Sequence, residues 1–389
     1  MIRVAILGST GSIGRSTLEV IRRHPDRYTV TALVANRSVD ILTGQVEEFR
    51  PKTAVVTDTL LDLPMANGET TWKRGIESIL EVAADPDVDV VLNALVGAVG
   101  LRPTLTALEA GHRVALANKE SLVAGGALVV AAAERGGGEV VPIDSEHSAI
   151  LQCLQGAGDR DLQRITLTAS GGPFRGCSIA DLHKVKAAEA LQHPTWNMGA
   201  KITIDSATLA NKALEVIEAH CLYGLDYDKI EAVVHPQSVI HSFVEFVDGS
   251  VLAQLGFPNM ELPILYALSY PDRVDDVSLR TYDPVSSSPL TFEDIDHRAF
   301  PMYSLGVEAG RRSGCAPAVY NAGNEIAVEA FLEDRIRFTE IPTVVRRTMD
   351  RIGVGAPRDL PDVISVDQEA RALTAEEVAR CAQSKGKKS

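Results

Sequence analysis

A chain of 389 residues and 41.7 kDa, 45% of it hydrophobic, exceeds one compact core and predicts two or three domains. Its 38 basic and 52 acidic residues leave a net charge of −14, which argues against nucleic acid and anionic membrane as partners. Five cysteines without metal-ligand spacing, a mean hydropathy of +0.04 and no long apolar run exclude a disulfide scaffold and a membrane protein, and predict a cytoplasmic location.

The chain enters a buried strand at once, over residues 2–8, which leaves no room for a signal segment. A Gly8-Ser9-Thr10-Gly11-Ser12-Ile13-Gly14 turn and a helix to about Arg23 follow. Strands are expected at 29–34, 53–57, 88–92, 112–117 and 139–143, with helices at 39–50 and 119–135 between them. This alternation predicts an α/β fold: a Rossmann-like parallel-sheet domain over residues 1–143. The next region, 144–280, mixes strands (164–168, 201–204) with helices and reads as an α+β catalytic domain. Residues 239–247 and 250–255 predict a hairpin around Asp248-Gly249. Ser, Pro and Asp mark 281–300 as a linker, and 301–389 reads as a helical domain with a basic, solvated tail at 385–388.

Gly8, Gly11 and Gly14 lie between a strand and a helix, where backbone N–H groups meet a pyrophosphate. Their G-x-x-G-x-x-G spacing only partly matches the usual fingerprint, and a purely structural turn is the alternative. The second strand ends Ala35-Asn36-Arg37-Ser38, with no acid for a ribose hydroxyl. Arg37 suits a 2′-phosphate instead, so NADPH is expected over NADH; otherwise Arg37 is a surface charge.

Asp144-Ser145-Glu146 follows the last strand of the first domain. On extended chain Asp144 and Glu146 face one side and can share a cation. Asn211, Lys212 and Glu215 fall on one helical face, which offers a third carboxylate. Oxygen ligands without imidazole or thiolate suit Mg²⁺ or Mn²⁺; an exposed acidic turn is the alternative. Ser170, Ser206, Asn211 and Lys212 offer the donors a phosphate needs. Lys212 could instead pair with Glu215 along the helix, a contact worth only tenths of a kcal/mol when exposed. Lys119 opens a helix just beyond a strand end, the usual side for ligands in such sheets. The loop His193–Gly199 holds Trp196, one of two tryptophans, and reads as a lid or as a packed loop.

Asn118-Lys119-Glu120, Asp144-Ser145-Glu146, Ala169–Phe174, His193–Gly199, Asn211–Glu215 and Asn321–Glu325, in this order behind the glycine turn, closely resemble the 1-deoxy-D-xylulose 5-phosphate reductoisomerase family. The resemblance spans nearly the whole chain. It implies a V-shaped homodimer that uses NADPH and a divalent cation on a sugar phosphate in non-mevalonate isoprenoid synthesis. It implies metal ligation by Asp144, Glu146 and Glu215, and contact with the reacting end of the substrate from Lys119, Ser145, Glu146 and Glu215. Ser170, His193, Ser206, Asn211 and Lys212 would surround the phosphate, with Trp196 closing over the substrate. Thr10, Gly11, Ser12, Ile13, Asn118, Glu120 and Gly199 would touch NADPH. Asn36 and Ser38 depart from the family's usual Gly and Asn; Asn tolerates a left-handed backbone and Ser keeps a hydroxyl, so the 2′-phosphate site survives. The competing enzyme is an NADP-dependent, metal-assisted hydroxy-acid dehydrogenase, which needs no phosphate set. A non-catalytic nucleotide-binding protein leaves the acids and Lys119 without a role.

Overall fold

A computed structural model describes residues 1–63, 68–157, 161–196, 198–353 and 355–386. Asn197 of the expected lid and Lys387-Lys388 of the basic tail lie outside the described residues. Contacts divide the chain into two units. The first comprises Met1–Leu122, Gly126–Ser148 and Asn259–Thr281; the second comprises Val123–Gly125, Ala149–Pro258 and Tyr282–Ser389. These limits differ from the four consecutive segments expected from the sequence.

The first unit runs β1 (Ile2–Leu7), α1 (Ser12–Arg23), β2 (Tyr28–Ala35), α2 (Val39–Phe49), β3 (Thr53–Val56), β4 (Thr71–Arg74), α3 (Ile76–Ala83), β5 (Val90–Asn93), α4 (Leu101–Glu109), β6 (Arg113–Leu116), α5 (Lys119–Gly136) and β7 (Glu139–Pro142). The first turn of α6 (Ser145–Cys153) completes its main stretch. All its strand pairs are parallel, in the order β4-β3-β2-β1-β5-β6-β7. Helices over both faces of a parallel sheet explain the unbroken apolar runs: Val4–Leu7, Ala54–Val56 and Val90–Leu92 are all buried. β4, with the polar sequence Thr-Trp-Lys-Arg, sits at the sheet edge and has no periodicity that the sequence reading could use. The order reverses between β1 and β5, so the glycine turn lies at the switch point, beyond the strand ends.

The second unit pairs β8 (Leu162–Ala169), β9 (Ile230–Val234), β10 (Ile240–Phe246) and β11 (Val251–Leu255) in the order β11-β10-β8-β9. The β10–β11 hairpin is antiparallel and turns at Asp248-Gly249 as expected. Between β8 and β9 lie α7 (Ile179–Leu182), α8 (Ala187–Ala190), α9 (Ala200–Thr208) and α10 (Ala210–Tyr223). The strand expected at 201–204 is therefore helix. Its alternating β-branched residues favour strand locally, but burial follows a helical face (Thr203, Ile204, Ala207, Thr208) packed on α10 and the later helices. After β11 comes α11 (Glu261–Ser269), which returns to the first unit and packs on α1. Arg23 of α1 holds it through Glu261 at 2.7 Å and Asp276 at 2.8 Å. Residues 281–300 form no helix, and α12 (Pro301–Arg312), α13 (Ala316–Leu332), α14 (Ile341–Arg351) and α15 (Leu360–Gly386) follow. These helices share one apolar core with α9 and α10; Tyr320, wholly buried in it, donates its hydroxyl to the Met302 carbonyl at 2.9 Å. All five cysteines are free thiols.

Candidate active site

The glycine turn is built for close approach. A Cβ on Gly14 would collide with the Gly8 carbonyl and the Ser9 backbone, so only glycine lets α1 begin this near to β1. α1 has no side-chain cap and no acid in its first turn, which leaves its N-terminal N–H groups and positive dipole end for an anion. The turn is pinned from α2: Ser9 Oγ donates to Gln45 Oε1 at 2.8 Å, and Gln45 Nε2 donates back to the Ser9 carbonyl at 2.9 Å. Nothing in the sequence pattern singled out Gln45.

Arg37 lies beyond β2 with its side chain 78% exposed, and its Nε donates to Asp58 at 2.8 Å. The backbone N–H of Leu60 and then Arg37 hold the Asp58 carboxyl below its ordinary range. An acid does therefore reach this corner, from the loop after β3 and not from β2. Asn36 accepts from the Thr57 hydroxyl at 3.0 Å. It is not left-handed: among the described residues, the non-glycines with positive φ are Arg50, Leu209, Ser238, Ser313 and Asp334. The left-handed allowance expected of Asn36 is thus not needed. Ser38 precedes α2 without capping it by its side chain.

Lys119 and Asp144 stand beyond the ends of the neighbouring strands β6 and β7, and their side chains form an ion pair. Asp144 does not continue an extended chain. Its carbonyl accepts from Ser148 N at 2.8 Å and opens α6, so Glu146 sits in a first helical turn. Asp144 and Glu146 are therefore brought together by a strand-to-helix turn, not by the alternation of a strand. Ser145 Oγ donates to Glu146 Oε2 at 2.7 Å. His147, wholly buried, lies with Nδ1 3.9 Å from Asp144. Asn118 is absorbed internally: it caps α5 by accepting from Ser121 N at 3.0 Å, and donates to Leu95, Gly97 and Glu120.

In the second unit, His193 bridges Ser170 and Ser206 through Nε2, at 3.0 and 3.1 Å. Its Nδ1 accepts two backbone N–H groups, from Thr195 at 3.1 Å and Trp196 at 2.9 Å. A ring nitrogen that accepts cannot carry a proton, so His193 is neutral with the proton on Nε2. Burial pushes its pKa below the ordinary value, in agreement. Gly172 lets the β8 loop lie against α9: it has φ +66, and a Cβ there would meet the Ser206 carbonyl at 2.8 Å. Trp196 is half-buried, its ring 6.5 Å from that of His241. Gly199 ends the loop and starts α9, its carbonyl accepting from Thr203 N at 3.0 Å.

Asn211 and Lys212 turn toward Glu215 on α10. Asn211 Nδ2 donates to Oε1, and the Lys212 ammonium pairs with Oε2. The pairing left open by the sequence is thus present. Its environment differs from that of an exposed helix pair, because Lys212 and Glu215 side chains are only 4% and 1% exposed. Of the six polar residues expected around a phosphate and a metal in this unit, hydrogen bonds link Ser170, His193 and Ser206, and contacts along α10 link Asn211, Lys212 and Glu215.

A doubly wound sheet with a glycine turn at its switch point, and a lysine and acids beyond its strand ends, defines the Rossmann-like α/β class. Comparison with known proteins narrows this. Residues 4–126 match the model for 1-deoxy-D-xylulose 5-phosphate reductoisomerase, and 140–223 and 255–373 match models for C-terminal domains of that enzyme. The reductoisomerase of Heliobacterium modesticaldum is 50% identical over 384 residues, 97% of each chain. The solved reductoisomerase of Zymomonas mobilis in complex with NADPH has a TM-score of 0.91 at 43% identity, covering 97% of this chain and 99% of that one. A reductoisomerase in complex with NADPH, fosmidomycin and magnesium has a TM-score of 0.89 at 39% identity, covering 97% and 98%. The chain belongs to the 1-deoxy-D-xylulose 5-phosphate reductoisomerase family.

Proposed function

We propose that this chain converts 1-deoxy-D-xylulose 5-phosphate to 2-C-methyl-D-erythritol 4-phosphate with NADPH and Mg²⁺ or Mn²⁺, a step of non-mevalonate isoprenoid biosynthesis. One observation carries the reading in a chain of this family: a carboxylate of each unit is held by a lysine, Asp144 by Lys119 and Glu215 by Lys212. An ammonium against a carboxylate marks a place that favours positive charge. With Glu146, these residues give an oxygen-only donor set that suits a hard divalent cation. When bound, such a cation polarises a carbonyl and an adjacent hydroxyl during skeletal rearrangement, and NADPH supplies the hydride that reduces the resulting aldehyde.

The chain's own residues do the rest. Ser170, His193, Ser206, Asn211 and Lys212 hold the phosphate. Neutral His193 donates from Nε2, so Lys212 carries the positive charge of that set. Binding energy from this remote group orients the reacting end against Lys119, Ser145, Glu146 and Glu215. Trp196, on the His193–Gly199 loop, covers the substrate and excludes water. Gly8, Thr10, Gly11, Ser12 and Ile13 hold the pyrophosphate at the α1 N-terminus. Arg37, with Asn36 and Ser38, takes the 2′-phosphate, and Asn118, Glu120 and Gly199 touch NADPH.

We further propose a homodimer in the cytoplasm. The edge strand β11 supports the dimer, since it exposes Val251 (53%) and Leu252 (48%) beside Val247 (61%). Among the described residues no helix is long and apolar enough to cross a membrane. The test is NADPH consumption with 1-deoxy-D-xylulose 5-phosphate and Mg²⁺ or Mn²⁺, followed by product analysis. A branched polyol phosphate is expected. Absence of oxidation defeats the reading, and an unbranched product favours the hydroxy-acid dehydrogenase.

A further inference from the structure

Asp205 is a buried carboxylate, 1% exposed, that the chemistry above does not use. It lies on α9, and its partners come from two helices. Asn324 of α13, wholly buried, donates Nδ2 to Asp205 Oδ1 at 2.7 Å. The Lys201 ammonium, one turn earlier on α9, lies 2.8 Å from Oδ2. A carboxylate is tolerated at this depth only where its charge is compensated and its oxygens are engaged. Asn324 belongs to the late Asn321-Ala-Gly-Asn-Glu325 motif, which the proposed site leaves without a task.

What α9 carries gives the tie its consequence. Its first residue follows Gly199, where the Trp196 loop ends. Ser206, next to Asp205, holds His193 at 3.1 Å. The far end is a fixed corner: Leu209 is left-handed at φ 61 and ψ 15 and buried. There the Thr208 hydroxyl donates to the Asp205 carbonyl at 3.2 Å and accepts from Ala210 N at 3.3 Å. α10, with Asn211, Lys212 and Glu215, starts directly beyond it. A roll of α9 therefore moves Ser206 and the loop end at Gly199, and passes through a stiff corner to α10.

We propose that Asp205, held by Asn324 and Lys201, is a positioning residue that fixes the rotation of α9, and with it Ser206, His193 and the hinge of the Trp196 loop. The proposal rests on reading Ser170, His193 and Ser206 as the phosphate end. Asp205 touches no reacting atom.

Two readouts test it. The first is kcat/KM per active site with 1-deoxy-D-xylulose 5-phosphate. Asn324→Ala lowers it about 30-fold or more, and the loss is non-additive with that of Ser206→Ala. The second needs no turnover. In a Trp72→Phe background Trp196 is the sole tryptophan, and Asn324→Ala raises its acrylamide quenching constant about twofold without substrate. Lys201→Met, at a side chain 25% exposed, removes the other tie and shifts both readouts the same way by a smaller factor, and it decides the matter if Asn324→Ala does not fold. A lowered melting temperature with unchanged kcat/KM and unchanged quenching, or additive losses with Ser206→Ala, overturns the proposal. If the unmutated enzyme does not turn over the sugar phosphate, the functional reading falls, while the quenching comparison still judges the role of Asp205.

Discussion

The pairs Lys212–Glu215, Lys119–Asp144 and Arg37–Asp58 differ chiefly in burial. Lys212–Glu215 is sealed in the second unit, with side chains 4% and 1% exposed. Lys119–Asp144, at the strand ends of the first unit, is 10% and 20% exposed. Arg37–Asp58, beyond β2, leaves its arginine 78% exposed. The chemistry of attraction is the same, but the dielectric and the cost of losing a partner are not. Burial therefore predicts which pair is tied to the fold and which is free to serve a ligand alone.

The largest effects concern the carboxylates. Glu215→Gln is expected to bind NADPH normally, followed by fluorescence titration, and to lose turnover by about a thousandfold. Asp144→Asn should act alike, and excess Mn²⁺ should recover part of the activity of either. Wild-type activity for Glu215→Gln at limiting Mn²⁺ would remove Glu215 from the metal set. Next come the lysines. The sequence alone favoured a Lys212→Ala enzyme of nearly unchanged melting temperature. Burial changes that expectation, because the variant strands the Glu215 charge. Lys212→Ala should lose about 3–5 kcal/mol in denaturant unfolding, as well as about 100-fold in kcat/KM. Lys119→Ala, nearer to solvent, should lose about 1–2 kcal/mol. Pairing Lys212→Met with Glu215→Gln should restore most of the lost stability. Equal losses for the two alanine variants would break the ordering by burial.

The same contrast explains what could be read from the sequence. In the first unit, strands buried on both faces leave continuous apolar runs, and Gly8–Gly14 and Arg37 sit at positions set by short-range rules. In the second unit, Lys201–Ile204 alternates like a strand yet forms α9, because packing on α10 and α13 outweighs local preference. Asp144 and Glu146 are neighbours in sequence, but a strand-to-helix turn relates them and not strand alternation, since helical onset at Ser145 leaves no local mark. Gln45, Asp58 and Asn324 act on partners 36, 21 and 119 residues away, and no periodicity encodes such contacts.

The exposed pair offers a cleaner separation of binding from stability. Arg37→Ala should leave unfolding within about 0.5 kcal/mol of wild type. It should narrow the NADPH to NADH ratio of kcat/KM by about 10–100-fold, the worth of a charge-assisted contact to the 2′-phosphate. Asp58→Asn sharpens the comparison: it frees Arg37 and removes a negative charge beside the phosphate, so the ratio should widen. An unchanged ratio in both variants would show that Arg37 serves only the surface.

The smallest effect is the one that needs its sign worked out. His193 carries no charge partner in the contacts described, and its environment favours the neutral ring. Two backbone N–H groups, of Thr195 and Trp196, point at Nδ1, and neither can bond a protonated nitrogen. Burial lowers the folded pKa below the ordinary 6.5. As pH falls through that value, the unfolded chain takes up a proton before the folded one does. Stability contributed by the neutral ring is then full above about pH 6.5 and is lost as pH drops through the folded pKa. Wild-type denaturation midpoints should therefore fall between pH 7.5 and pH 5.5, and His193→Asn should remove part of that fall, an effect of about 1 kcal/mol or less. Trp196 fluorescence should report the same change locally, since its backbone N–H is one of the two donors. If the variant and the wild type lose stability equally over this range, His193 titrates as an ordinary surface imidazole, and the neutral bridge between Ser170 and Ser206 is not what orders the loop.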